Sequence, residues 1–155
     1  MTDLNTALLT EQDMAKLVAE LKVAKTNKDI PALLNLYHPD CILEQPGLGS
    51  YSQGHAEIGP ALIKFVTHFP DYQREESGAA KSEDTYISWG MAKVTLTGEF
   101  SGHTANGQQT SVMTFILFRF KNNKIIYEGH HWDLSIICQD SGVPVEAVTG
   151  NARST

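Results

Sequence analysis

The sequence predicts an α+β fold. Three N-terminal helices gather on one face of a curved antiparallel or mixed β-sheet and close it into a cone with an open end. Three observations predict it. Apolar residues recur at helical spacing as far as Phe69. From position 72 onward, β-branched and aromatic segments alternate with turn signals. Lys121-Asn122-Asn123-Lys124 stands between two strong strand segments and reads as a hairpin, which makes those strands antiparallel.

The elements follow in order. Thr10 can cap a helix whose first turn carries Glu11 and Asp13, favourable beside free N–H groups. Met14, Leu17, Val18 and Leu21 form its apolar face, and the polar run AKTNKD ends it. Asp29 caps a shorter second helix, with Pro31 in its first turn and Leu33, Leu34, Leu36 and Tyr37 behind. His38-Pro39-Asp40 stops it, because a residue before proline is pushed out of the α region. Cys41 to Glu44 reads as one short strand and QPGLGSYSQG as a loop. A third helix is expected from about His55 to His68, with Ile58, Leu62, Phe65, Val66 and Phe69 on its apolar face. Strands are expected in 72–80, 84–100, 108–120 and 124–137. Residues 10–142 form one domain, after a lead-in over 1–9. Residues 143–155, poor in large apolar groups, read as a tail that is frayed or draped over a dimer partner.

Composition excludes several classes. A chain of 155 residues suits one domain. Lys+Arg 12 against Asp+Glu 18 gives −6 with no basic stripe, so nucleic acid and anionic membranes are not expected partners. Cys41 and Cys138 belong to no CxxC or metal-spaced set and read as small buried residues in a reducing compartment, with a disulfide between them left open. No signal pattern opens the chain and no apolar run is long enough to span a bilayer, which predicts a cytoplasmic protein.

Five patterns follow one another along the chain: Leu36-Tyr37-His38-Pro39-Asp40 followed by Glu44, Pro46, Gly49 and Gly54; Phe69-Pro70-Asp71; Thr97-Gly98-Glu99-Phe100-Ser101-Gly102 with Gly107; Phe118-Arg119-Phe120 with Lys124-Ile125-Ile126; and Trp132-Asp133 with Gln139 and Gly142. In that order they resemble the SnoaL-like polyketide cyclases of the nuclear transport factor 2-like (ketosteroid isomerase-like) superfamily. The resemblance implies the cone fold, a homodimer, and an aldol-type ring closure without metal or cofactor. An aspartate acts as general base there, beside a histidine. The aspartate falls on Asp133, and the histidine position is Leu96. The base position of the isomerases in the superfamily is Gln45, which cannot take a proton at neutral pH. Epoxide hydrolase-like members need an Asp-Arg-Asp set, of which Arg119 and Asp133 are present.

Asp133 is the first catalytic candidate, because a carboxylate in an apolar strand is expensive to bury and its pKa would rise. The alternative is a structural Asp that satisfies a backbone N–H or the Trp132 indole. His131 lies two residues before it, on the same strand face, and could replace the histidine missing at Leu96; otherwise it packs or meets a dimer partner. His130 and Trp132 point the other way, where a surface or interface role is expected for His130. Tyr37, Tyr51 and Tyr127 could orient a substrate carbonyl or serve as interface and pocket-wall aromatics. Glu44 and His68 could face the mouth of the cone, with Phe69 beside it. Asp71 reads as structural. Met113 and Phe115 alternate with Val112, Thr114 and Ile116, and either set could line the pocket. Gly129 would enlarge the cavity or mark a bulge.

The function expected is a cofactor-free cyclase, isomerase or dehydratase acting on a small, mostly apolar, carbonyl-containing molecule. The alternatives are a ligand-binding module without chemistry and an epoxide hydrolase.

Overall fold

The computed structural model describes residues 8–149. Helix α1 (Glu11–Thr26) starts with a capping box: Thr10 Oγ1 accepts from the Asp13 amide, and Asp13 Oδ2 accepts from the Thr10 amide, both at 3.1 Å. Asp29 Oδ1 accepts from the Ala32 amide at 3.1 Å and starts α2 (Ile30–Leu36). Helix α3 (His55–His68) covers the span predicted for it. Around these lies a six-stranded sheet of order β2-β1-β8-β7-β4-β3. Its strands are β1 (Tyr37–Gln45), β2 (Ser50–Gln53), β3 (Gln73–Ser82), β4 (Thr85–Thr95), β7 (Gln109–Lys121) and β8 (Lys124–Trp132). All pairings are antiparallel except β1 with β8. A small hairpin, β5 (Glu99–Phe100) with β6 (His103–Thr104), stands apart.

Three local expectations are corrected. The strand expected at 41–44 begins at Tyr37 and runs through Pro39, and the following loop contains β2. The segment 124–137 is strand only to Trp132. Asp133 then caps a helix, α4 (Leu134–Ser141), which the β-branched Ile136 and Ile137 had disguised as strand. Of the expected tail, Val143 is buried and Val145–Thr149 form a short helix, α5. Residues 150–155 and most of the lead-in lie outside the described residues.

Strand β3 carries a bulge between Glu76 and Gly78. Gly90, opposite it on β4, is required there: a Cβ would sit 1.9 Å from the Glu75 carbonyl oxygen. The core divides into two apolar clusters. One packs α1, α2 and α3 on Tyr86, Ile116, Phe118, Phe120 and Ile125. The other joins Phe69, Ala92, Val94, Leu96, Val112 and Trp132 to α4 and Val143. On the inner face of the sheet, the buried side chains between these clusters, Ser88, Thr114, Glu128 and His130, are polar.

Candidate active site

The strands build this polar belt from one register. On β7, Thr114 lies between Val112 and Ile116; on β4, Ser88 and Gly90 lie between Tyr86 and Ala92; on β8, Glu128 and His130 lie between Ile125 and Trp132. Ser88, Thr114, Glu128 and His130 are all buried. Tyr72, just before β3, and Arg74 on it reach in from the sheet edge, and Lys25 reaches down from the last turn of α1.

Burial makes each of these groups seek a partner. The Glu128 carboxylate, wholly buried, accepts from Lys25 Nζ at 2.8 Å and from Tyr37 Oη at 2.7 Å. Arg74 donates through Nε to Thr114 Oγ1 (2.6 Å) and through Nη1 to Ser88 Oγ (2.9 Å), and Ser88 donates in turn to Glu76 Oε2 (2.6 Å). Thr114 Oγ1 donates to the Gly90 carbonyl at 2.8 Å. His130 Nε2 is 3.3 Å from Tyr72 Oη. Among the described residues, three buried side-chain atoms lack a partner: Arg74 Nη2, His130 Nδ1 and Trp132 Nε1.

The electrostatics follow from burial. Burial, with Lys25, Arg74 and His131 adding to it, holds the His130 pKa well below its ordinary value, so the imidazole is neutral. Burial raises the Tyr72 hydroxyl, against Arg74, and raises Tyr37 together with Glu128; both stay protonated donors. Burial, with a smaller contribution from Glu128, pushes the Cys41 thiol up to about 12; Cys41 and Cys138 are free and buried.

Two cavities meet at Lys25, Thr26 and Tyr72. The first, about 30 Å³, lies between α1 and the sheet and reaches Arg74, Ile116 and Phe118. The second, about 20 Å³, runs toward α3 over Leu62, Phe65 and Phe69. Each has room for a water or two. Leu96, at the position where the family resemblance implies a histidine, is 1 % exposed and fills the second apolar cluster.

The structure corrects the expected direction of β8. Tyr127, Gly129 and His131 do share a face, but it is the outer one. His131 is exposed, and His130, expected outside, is the buried one at 1 % exposure. Asp133 is exposed at the start of α4, where Oδ1 accepts from the Ser135 amide at 3.0 Å and from the Ser135 hydroxyl at 2.5 Å. Among the described residues no hydrogen bond joins His131 to Asp133. Met113 and Phe115 also point outward, and Phe115 is 51 % exposed. Gly129 does not enlarge the interior: the space beside its Cα is taken by Tyr127, whose Oη would be 2.8 Å from an added Cβ. Tyr127 itself donates to Glu44 Oε2 at 2.7 Å, and its pKa is pushed up to about 12 by burial and by that carboxylate.

Of the other candidates, Tyr37 joins the belt through Glu128. Phe69 packs in the second cluster, 5.0 Å from Trp132 between ring centroids. His68 hydrogen-bonds the Thr97 carbonyl at 3.1 Å, outside the belt, and Tyr51 is exposed. Asp71 is structural, as expected: it accepts from the Thr95 amide and hydroxyl and from Gln109.

Sequence reasoning missed Lys25, Tyr72, Arg74, Ser88 and Glu128, placed His130 on the outer face, and left Thr114 in one of two open sets. One signal was present. The odd positions of β7 include Gln109, Ser111, Arg119 and Lys121, which marks that parity as the wetter face and the even one as interior.

Comparison with known proteins agrees with this architecture. A provisionally assigned SnoaL-like polyketide cyclase from Jannaschia sp. CCS1 superposes with a TM-score of 0.76 at 15 % identity, over 93 % of this chain and 99 % of that one. IdmH from Streptomyces antibioticus, also provisionally assigned as a polyketide cyclase, gives 0.70 at 18 % identity over 83 % and 98 %. A hypothetical protein with a ketosteroid isomerase-like fold from Catenulispora acidiphila DSM 44928, in complex with trimethylamine, gives 0.73 at 18 % identity over 84 % and 95 %. At these identities the likeness establishes the nuclear transport factor 2-like fold alone. No curated protein matches the sequence. No helix among the described residues is long and apolar enough to cross a membrane. The family model of the SnoaL-like polyketide cyclases matches residues 13–140, and the chain belongs to that family.

Proposed function

We propose that this protein performs acid–base chemistry on a small, mostly apolar, carbonyl-containing molecule, as an aldol-type cyclase or a related isomerase or dehydratase, and that the polar belt carries it. The observation behind this reading is the junction of the two cavities. Tyr72 and Lys25 both line it, and their polar ends are backed by neutral His130 and buried Glu128.

The roles follow from chemistry. With its proton on Nε2, His130 donates to Tyr72 Oη, which frees the hydroxyl proton for a ligand oxygen. That tautomer leaves a bare lone pair on the partnerless Nδ1, cheaper than an unpaired buried N–H. Tyr72 then stabilises the enolate oxygen as charge develops on it. Glu128, the one fully buried carboxylate among the described residues, lines neither cavity; it stays paired with Lys25 and fixes the ammonium beside Tyr72, so that the two donors polarise the carbonyl while the neighbouring carbon loses its proton to solvent water. A homodimer formed through the outer sheet face belongs to the same reading, supported by Ile87, Met91, Met113 and Phe115, which stay exposed there.

The test is α-proton exchange. A panel of aryl β-diketones in D₂O is followed by NMR with and without protein. Exchange faster than buffer, lost in Tyr72→Phe and Glu128→Gln, supports the reading. A second reading, a ligand-binding module without chemistry, is favoured by the small cavities and by the apolar filling at Leu96. Binding of the diketones without exchange would select it.

A further inference from the structure

We infer that the molecule taken into this site carries a carboxylate, held by Arg74 Nη2 and the lysines at the end of α1. This rests on the belt being the binding site and adds the charge of its ligand.

The chain is acidic, at −6, yet every charged residue lining either cavity is a cation: Lys22, Lys25 and Arg74 in the first, Lys25 and Lys28 in the second. The other polar lining groups, Thr26 and Tyr72, can also donate. No Asp or Glu lines either cavity. Two anions stand behind these cations, Glu128 on Lys25 and Glu76 reached from Arg74 through Ser88, and against Lys22, Lys25, Lys28 and Arg74 they still leave a surplus of positive charge. The last carbonyls of α1 do not compete for that surplus, because the amides of Asn27, Lys28 and Asp29 already donate to Val23, Lys25 and Ala24.

Arg74 is the sharper observation. Nε and Nη1 are committed to Thr114 and Ser88, which fixes the guanidinium plane. Nη2 is buried without a partner, beside a cavity that Arg74 lines. An unsatisfied buried donor on a cation is costly unless a ligand completes it. The walls behind it are apolar: Val18, Leu21, Ile116 and Phe118 in one cavity, Leu62 and Phe65 in the other. Donors beside apolar walls suit an acid with an apolar body better than a free inorganic anion, and because the two cavities hold only a few waters, such a body enters only as they widen.

Calorimetric titration of the full chain with 2-naphthoate, 2-acetylnaphthalene and inorganic phosphate tests this. The acid should bind about tenfold or more tighter than the ketone, and phosphate should not displace it. Arg74→Met should bring acid and ketone to within about twofold while ketone binding persists. The double substitution Lys22→Gln with Lys28→Gln changes exposed side chains only, so the fold is preserved, and it should weaken the acid but not the ketone. Equal binding of acid and ketone overturns the carboxylate and leaves the carbonyl site standing. Acid binding untouched by both variants, or displaced by phosphate, overturns the inference too. Binding of neither compound overturns both readings.

Discussion

The Lys25 ammonium lies 2.8 Å from the Glu128 carboxylate and ties the end of α1 to the inner face of β8. The lysine side chain is 13 % exposed and the glutamate is not exposed at all. A charge of this kind is tolerated in the core only while its partner is present. Lys25→Met should therefore destabilise the fold by about 3–5 kcal/mol, because it strands a buried carboxylate. Lys25→Met with Glu128→Gln should recover a large part of the loss. Denaturant melts of the wild type, both single variants and the double form a cycle that measures the coupling.

The pH dependence has a definite sign. His130 has a folded pKa depressed below the unfolded value, so the unfolded chain binds its proton more readily. Its contribution is complete above the unfolded pKa of about 6.5 and is lost as pH falls toward the folded one. Urea midpoints should drop between neutral pH and about pH 5, and His130→Gln should flatten that drop. Asp71 acts at lower pH. Burial would raise it, but its hydrogen bonds from Thr95 and Gln109 bring it below the ordinary carboxylate value. Its contribution is present above the unfolded pKa and fades as pH falls through the folded one.

Asp133 and Leu96 separate stability from chemistry. Asp133→Ala removes the α4 cap and should cost about 0.5–2 kcal/mol, with diketone binding retained. Leu96→His restores the residue type that the family resemblance implies there. It would bury an imidazole among Phe69, Trp132 and Ile137, which should destabilise by about 1–3 kcal/mol without raising activity.

Phe115→Glu places a charge at the centre of the exposed outer face. If that face joins two copies, the variant should sediment as a monomer where the wild type sediments as a dimer. Wild-type protein that is monomeric at micromolar concentration would remove the dimer from the reading.

Much of the fold was legible because local chemistry agreed with tertiary need. Thr10, Asp29 and Asp71 perform the local tasks their positions suggested, and α3 spans the residues its apolar spacing marked. The site was less legible, for a physical reason. A strand with apolar residues on both faces does not declare its parity, and in β8 the buried face carries Glu128 and His130 while the exposed face carries His131. Pattern alone reads such charges as solvated. Only the pairing of β8 with β7 and β1, and the arrival of Lys25, Tyr37 and Tyr72 from distant positions, turns them inward.

The most direct test is the α-proton exchange rate of an aryl β-diketone with wild type, Tyr72→Phe and Asp133→Ala side by side. If the belt carries the chemistry, Tyr72→Phe should lower kcat/KM by about 10²-fold or more and Asp133→Ala should leave it within about threefold. Exchange abolished by Asp133→Ala and unaffected by Tyr72→Phe would return the site to the outer end of β8 and contradict the assignment to the belt.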